Sequence, residues 1–210
     1  KNLEALLQAF QYIEKHELSF FLLGNGSNVL ASDREYTGIV IQLKKLPYSY
    51  SIEDNILTCS AFYPTSKLAY DLALEEWGDL SFLGGIPGLL GGAIYNNSGA
   101  YKEDIQKHLI DVTYINSAGK KITIPNKDCA FGYRKSIFHY IDGIIISARF
   151  KVKKEKTLDI LQKRAKQRKL SQPLETKNMG SIFKNNPLIP AWKVIDALGM
   201  RGFHLEDAAV

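Results

Sequence analysis

Phe82-Leu83-Gly84-Gly85-Ile86-Pro87-Gly88-Leu89-Leu90-Gly91-Gly92-Ala93, continued by Ile94-Tyr95-Asn96-Asn97-Ser98-Gly99-Ala100-Tyr101, holds six glycines and a proline, more than a simple turn needs. It reads as a long irregular loop. A shorter companion lies upstream, Phe21-Leu22-Leu23-Gly24-Asn25-Gly26-Ser27-Asn28. Each follows an apolar run that reads as a buried strand or strand end, so the glycines sit where the backbone must turn sharply. Glycine tolerates positive φ and has no Cβ, which lets such turns present bare N–H groups to an anion, most often a phosphate. Two such loops in one small protein predict a large phosphorylated ligand.

Neither loop is a familiar nucleotide fingerprint. No Gly-Lys-Ser/Thr follows the first, which excludes a Walker loop. Val29 and a strand-rich stretch stand where a dinucleotide-binding GxGxxG would continue into a long helix. Alone, the Gly24-Asn25-Gly26-Ser27-Asn28 turn is explained by Ser and Asn satisfying local backbone groups. The second segment has no such plain explanation.

The 210 residues, 45% of them hydrophobic, are enough for one large domain or two small ones with a proper core. The apolar runs fall short of the ~18 residues of a membrane span, and no charged-then-apolar leader opens the chain, so a cytoplasmic protein without membrane contact is expected. Cys59 and Cys129 form no CxxC pair and read as core residues of a reducing compartment. His16, His108, His139 and His204 are scattered, so no metal is expected. The net charge of +5 is concentrated between Lys151 and Lys169. Such a run is able to bind nucleic acid, but on a helix it is ordinarily a solvated face, and its last members are placed to reach an anionic small molecule.

Leu3, Leu6, Leu7, Phe10 and Ile13 recur at helical spacing and predict an opening amphipathic helix that turns into a strand at 20–23. Strands are expected at 39–43, 56–59, 112–115, 121–124 and 144–152, with Asn116-Ser117-Ala118-Gly119 as a hairpin. Helices are expected at 66–77, 158–170 and 191–198. A change of style near Lys153 places the domain boundary there, giving domains 1–153 and 154–210.

Two further stretches carry candidate chemistry. Phe131-Gly132-Tyr133-Arg134-Lys135-Ser136-Ile137-Phe138 sets an arginine among aromatics, and its fixed fork of donors suits a carboxylate or phosphate, against an ordinary role in a surface salt bridge. Gly180-Ser181-Ile182-Phe183-Lys184-Asn185-Asn186-Pro187 is a Gly-Ser turn whose serine has no neighbouring histidine and is no hydrolase nucleophile.

Taken in this order, LLGNGSNVLASD (22–33), FLGGIPGLLGGAIYNNSGAY (82–101), FGYRKSIF (131–138), QPLETKNMGSIFKNNP (172–187) and AWKVIDALGMRGF (191–203) resemble the UDP-N-acetylenolpyruvoylglucosamine reductases (UDP-N-acetylmuramate dehydrogenases) of bacterial peptidoglycan synthesis. The resemblance covers nearly the whole chain. It implies an α+β architecture, an FAD-binding domain of the vanillyl-alcohol-oxidase/PCMH type followed by a smaller α/β substrate-binding domain. By the same resemblance Gly24, Asn25, Gly26, Ser27 and Asn28 hold the FAD pyrophosphate. Gly85, Ile86, Pro87, Gly88, Gly91, Gly92 and Ala93, with Asn97, Gly99, Ala100 and Tyr101, pack on the rest of the cofactor. No histidine stands where the family links flavin, so FAD is expected to be non-covalent, with NADPH as hydride donor. Arg134 matches the arginine that meets the substrate carboxylate, and Ser181 the serine that protonates the enol. Tyr133, Lys169 and Asn185 match positions that contact the UDP-sugar.

There are departures. The family's threonine-phenylalanine and glycine-glycine-proline stretch precedes the matched region and is not in this sequence. The third catalytic residue, a glutamate nearer the C-terminus, has no counterpart, since Glu206 lies too early. Phe62 stands where a small residue is usual and Lys102 where glycine is usual. The short interval between Arg134 and Ser181 points to the family's shorter branch. The competing readings are another FAD-dependent oxidoreductase of the same fold, a catalytically incomplete flavin-binding fragment, and a nucleic-acid-binding protein using the basic helix.

Overall fold

The computed structural model describes residues 2–172, 178 and 180–210. The chain divides into two compact units, residues 1–172 and 173–210. The expected boundary at 153/154 is thus displaced to the far end of a helix, for a reason given below.

The first unit opens with α1 (Leu3–Lys15), capped by Asn2, whose side-chain oxygen accepts from the Ala5 N–H at 2.8 Å. Its buried stripe is Leu6, Phe10 and Ile13. Strands β1 (Phe20–Leu23) and β2 (Ile39–Gln42) pair in parallel, as a small sheet separate from the main one. β3 (Tyr50–Glu53) and β4 (Ile56–Ser60) form a hairpin about Asp54 and Asn55, both at positive φ. Then come α2 (Thr65–Leu74), a 3-10 turn (Ser81–Gly85), α3 (Leu90–Tyr95), the two-residue strands β5 (Gly99–Ala100) and β6 (Glu103–Asp104), and α4 (Ile105–His108). The segment read as one irregular loop is therefore a 3-10 turn, a short helix and a tight hairpin. Leu90, Ala93 and Ile94 give the helix an apolar side to bury, which offsets the glycines' low helix propensity.

β7 (Leu109–Asn116), β8 (Lys121–Pro125) and β9 (Gly143–Lys151) complete an antiparallel five-stranded sheet in the order β3-β4-β9-β7-β8. Along β9 the alternate residues Ile144, Ile146, Ala148 and Phe150 are buried. The first two join the cluster around α1, with Leu6 and Phe10, while the last two join the main core with Leu68 and Leu72 of α2. Phe62 belongs to the α1 cluster, where its bulk is buried.

α5 (Leu158–Ser171) lies wholly beyond the expected boundary and still belongs to the first unit. Leu161 is only 2% exposed and docks on Gly84, where a Cβ would collide with the leucine side chain. The basic residues obscured that anchor in the sequence.

The second unit contains α6 (Ala191–Ala197) and the hairpin of β10 (His204–Leu205) and β11 (Ala208–Ala209). Gly199, at φ +65°, ends α6, and the Met200 N–H reaches back to the Ile195 carbonyl in a Schellman-like close. Among the described residues no helix is long and apolar enough to cross a membrane.

Candidate active site

Ser27 and Pro87 stand 60 residues apart, yet the Ser27 hydroxyl donates to the Pro87 carbonyl oxygen at 3.3 Å. The next residue, Gly88, has φ +116°, and a Cβ there would lie 2.9 Å from Ser27 Oγ, so the loops close on each other only with glycine at that position. Gly24 faces Leu89, 3.5 Å from where its Cβ would be. The start of α2 holds the second loop from behind. The Thr65 N–H donates to the Gly88 carbonyl at 3.1 Å, the Ser66 hydroxyl donates to the Ile86 carbonyl at 3.1 Å, and the Thr65 hydroxyl lies against both carbonyls. Thr65 and Ser66 were not singled out in the sequence, although a Thr-Ser pair after Pro64 is a helix-start signal.

A pyrophosphate needs bare N–H donors and a surface free of side chains. Among the described residues the N–H groups of Asn25, Gly26, Ser27 and Asn28 have no protein acceptor. Among the described residues, beyond its chain neighbours and the backbone of its own helix, nothing lies within 4 Å of where a Cβ of Gly92 would stand. These loops fit a cofactor pyrophosphate.

Other expected cofactor residues face inward. Ala93 is buried in the main core. Ile86 packs on the same core. Gly85 gives room to Arg168 of α5, whose guanidinium occupies the space a side chain would take. Asn97, 3% exposed, is consumed by the protein: Nδ2 donates to the Gly132 carbonyl at 3.1 Å and Oδ1 accepts from the Gln106 N–H at 3.1 Å. Within the protein these residues have packing or bracing roles.

Tyr133 and Arg134 form the two-residue turn between Gly132 and Lys135, which exchange backbone hydrogen bonds of 3.0 and 3.2 Å. Arg134 is held at φ +56°, an uncommon state for a non-glycine residue. Its Nη2 donates to the Gly99 carbonyl at 3.5 Å, and its guanidinium carbon lies 5.1 Å from the Tyr133 ring centre. Just beyond, Ser136 is fully buried and donates to the Tyr95 carbonyl at 2.7 Å, while the His139 ring stacks on Tyr95 at 4.1 Å. The structure thus brings Arg134 to the Gly99 carbonyl and ties its turn to α3.

α5 is not a uniformly solvated face. Lys163, Lys166 and Lys169 are exposed, whereas Arg164 and Arg168 follow Leu161 at i+3 and i+7 and pack inward. The Arg164 guanidinium carbon sits 3.9 Å from the Tyr101 ring centre. Arg168 donates to Gln172 Oε1 at 3.1 and 3.0 Å. Neither arginine was marked as a site residue in the sequence, because their charge matched that of the lysines around them.

Ser181 and Asn185 belong to the second unit. Ser181 is exposed beside Gly180, which has φ +66° and open space around its Cα. Asn185 Oδ1 accepts from the Ala191 N–H at 3.0 Å and so satisfies an otherwise orphan donor at the start of α6. Its neighbours 173–177 and 179, including the rest of the QPLETKNM motif apart from Gln172 and Asn178, lie outside the described residues. Cys59 and Cys129 are buried, and burial pushes the Cys129 thiol up to about 12. Neither is a nucleophile at neutral pH.

The two glycine loops fit a cofactor pyrophosphate, and similarity to known proteins identifies the class as that of the flavin-binding oxidoreductases. Residues 1–124 match the FAD binding domain family, and residues 172–210 match the C-terminal domain of UDP-N-acetylenolpyruvoylglucosamine reductase. The reductase of that name from Synechocystis is 30% identical over 215 residues, spanning 99% of this chain and 68% of that protein. The one from Chlamydia abortus is 33% identical, spanning 97% of this chain and 69% of that protein. The crystal structure of the Thermus caldophilus enzyme superposes with a TM-score of 0.79 at 28% identity, over 96% of this chain and 74% of that one. The chain belongs to the UDP-N-acetylenolpyruvoylglucosamine reductase family.

Proposed function

We infer that this protein reduces the enolpyruvyl group of UDP-N-acetylglucosamine enolpyruvate to the lactyl group of UDP-N-acetylmuramate, with NADPH as reductant, in the cytoplasmic stage of peptidoglycan synthesis. The observation that carries the reading is the meeting of the two glycine loops at Ser27, Pro87 and Gly88, with Arg134 reaching Gly99 of the same segment. FAD, when bound, would supply hydride transfer from NADPH to the methylene carbon of the substrate. The backbone donors of residues 25–28 hold its pyrophosphate.

As the methylene carbon becomes a methyl group, negative charge grows on the substrate carboxylate, and a fixed cation stabilises it best when it is already in place. Arg134 has the bidentate fork for this, and its turn is braced before substrate arrives. Ser181 then gives a proton to the adjacent carbon, which completes the lactyl group. A free serine hydroxyl is a poor acid, so it must be polarised by hydrogen-bonding neighbours. Tyr133, Lys169 and Asn185 contact the uridine diphosphate in this reading. A UDP-sugar and NADPH are its small-molecule partners, with no nucleic acid and no membrane.

The absorption spectrum of the purified protein, before and after acid, tests the reading. Flavin bands released intact into the acid supernatant are expected, and NADPH oxidation that depends on the enolpyruvyl sugar should follow. A colourless protein that gains no flavin bands on incubation with FAD would remove the assignment.

A further inference from the structure

We propose that Arg164 of α5 is a positioning residue for Arg134, acting through the ring of Tyr101; this rests on the reading of Arg134 as the carboxylate-binding residue. The link runs through the turn that joins β5 to β6. Its two central residues, Tyr101 at φ +58° and Lys102 at φ +67°, both occupy the left-handed region. Two-residue turns of this kind favour Asn-Gly, so a Tyr-Lys turn needs support from outside itself. The Arg164 guanidinium, 3.9 Å from the Tyr101 ring centre, supplies it on one side. Lys107 supplies it on the other, with Nζ on the Lys102 carbonyl.

The turn fixes what lies on β5. Gly99 pairs with Asp104 so closely that a Cβ would stand 2.9 Å from that of the aspartate. The Gly99 carbonyl is the acceptor for Arg134 Nη2. Asn97 braces the backbone of the arginine's turn, and Gly99 aims its guanidinium; the second task depends on the hairpin that Arg164 clamps.

Arg164 itself shows that the contact is structural. Its Nη1 is enclosed by protein without a hydrogen-bond partner, so in this arrangement no ligand atom reaches it. A buried, unsatisfied guanidinium nitrogen is unfavourable. What the residue gives in return is the stack on Tyr101 and, with Leu161 and Arg168, the seating of α5 on the glycine segment.

The test separates aim from fold by comparing two ligands of the FAD-loaded protein, UDP-N-acetylmuramate, which carries the carboxylate, and UDP-N-acetylglucosamine, which lacks it. Binding is followed by the perturbation of flavin absorption. Arg164→Met keeps the aliphatic stem and should cut the preference for the carboxylate ligand by about tenfold, while affinity for UDP-N-acetylglucosamine stays within about twofold. Arg164→Lys should recover part of that preference. Tyr101→Leu removes the same stack from the other side and decides the matter should Arg164→Met not fold. Equal weakening of both ligands, or an unchanged preference in these variants, overturns the proposal. Arg134→Lys is measured in parallel: a preference that survives it, or that the unaltered protein does not show, removes the reading of Arg134 instead.

Discussion

Asn97 Nδ2 donates to the Gly132 carbonyl, and so the end of α3 determines where the turn bearing Arg134 sits. The same side chain accepts from Gln106 at the start of α4, which makes it a three-way brace at 3% exposure. A glycine-segment asparagine looks like a ligand contact in a sequence. Here it is a residue on which the geometry of the arginine's turn depends.

Asn97→Ala should therefore lower stability and activity together. It leaves the Gln106 N–H without its acceptor and the Gly132 carbonyl with only the Lys135 N–H as donor, a loss on the order of 1–3 kcal/mol. Chemical denaturation measures the first effect. Steady-state turnover measures the second, which should exceed what the unfolded fraction explains. Full activity in the folded variant would remove the brace.

Gly88→Ala tests the meeting of the loops. The added methyl would approach Ser27 Oγ to 2.9 Å at a φ of +116°. Both the clash and the backbone strain oppose it, by about 1–3 kcal/mol in total. Fluorescence titration should show FAD binding weakened by at least tenfold. In the Ser27→Ala background the clash is relieved and the strain is not, so only part of the loss should return. Unchanged FAD affinity would mean that the loops do not form the cofactor cradle.

Lys102→Gly should stabilise the protein. Lys102 holds φ +67° in a position that a glycine adopts without steric cost, against about 1–2 kcal/mol for an L-residue, and glycine's greater unfolded-state entropy takes back about 0.5–1 kcal/mol. The contact from Lys107 goes to the backbone carbonyl and survives the change. A net gain of a few tenths to 1 kcal/mol is expected by thermal denaturation. A loss of stability would mean that the Lys102 side chain has a role the turn does not explain.

Acid stability should depend on the hairpin as well. The His108 ring hydrogen bond holds the Glu103 carboxyl below its ordinary value of 4.5; burial opposes this, and Lys107 adds to it. A carboxyl whose folded pKa is depressed contributes stability that is fully present above its unfolded value and is lost as pH falls through the folded one. The contribution is small because Glu103 is 41% exposed. His108→Ala should flatten the stability profile below about pH 4.5, the ordinary value for the group. An unaltered acid limb would assign that slope to other carboxyls.

Much of this was legible in the chain. Strong periodicity marked α1 and the strand that became β9, because one buried face imposes a regular pattern, and the turn residues Asn116-Ser117-Ala118-Gly119 marked the hairpin. β3 was missed, since only half of Tyr50-Ser51-Ile52-Glu53 is apolar; its signal was the Asp54-Asn55 pair, both able to take positive φ. α3 was hidden by glycines, and the boundary at 172 by charge. At the site, residue type announced Arg134 and the loop glycines. The supporting roles of Thr65, Asn97 and Arg164 depend on contacts across 23, 35 and 63 residues, which no local pattern encodes.

Ser181→Ala should divide the catalytic cycle. Only the step in which substrate reoxidises the flavin needs a proton at the carbon next to the new methyl group; reduction by NADPH does not. Stopped flow with the FAD-loaded protein should therefore give flavin reduction at the unaltered rate and reoxidation slowed by about 10²–10⁴-fold, the usual effect of losing one general acid. The exposed setting of Ser181, beside a Gly180 with open space around it, makes a folding defect a poor explanation for such a loss. Melting of the variant should match that of the parent, which separates chemistry from stability. If Ser181→Ala slowed reduction and spared reoxidation, the serine would act on the nicotinamide side of the cycle, and proton delivery to the substrate would have to come from another residue.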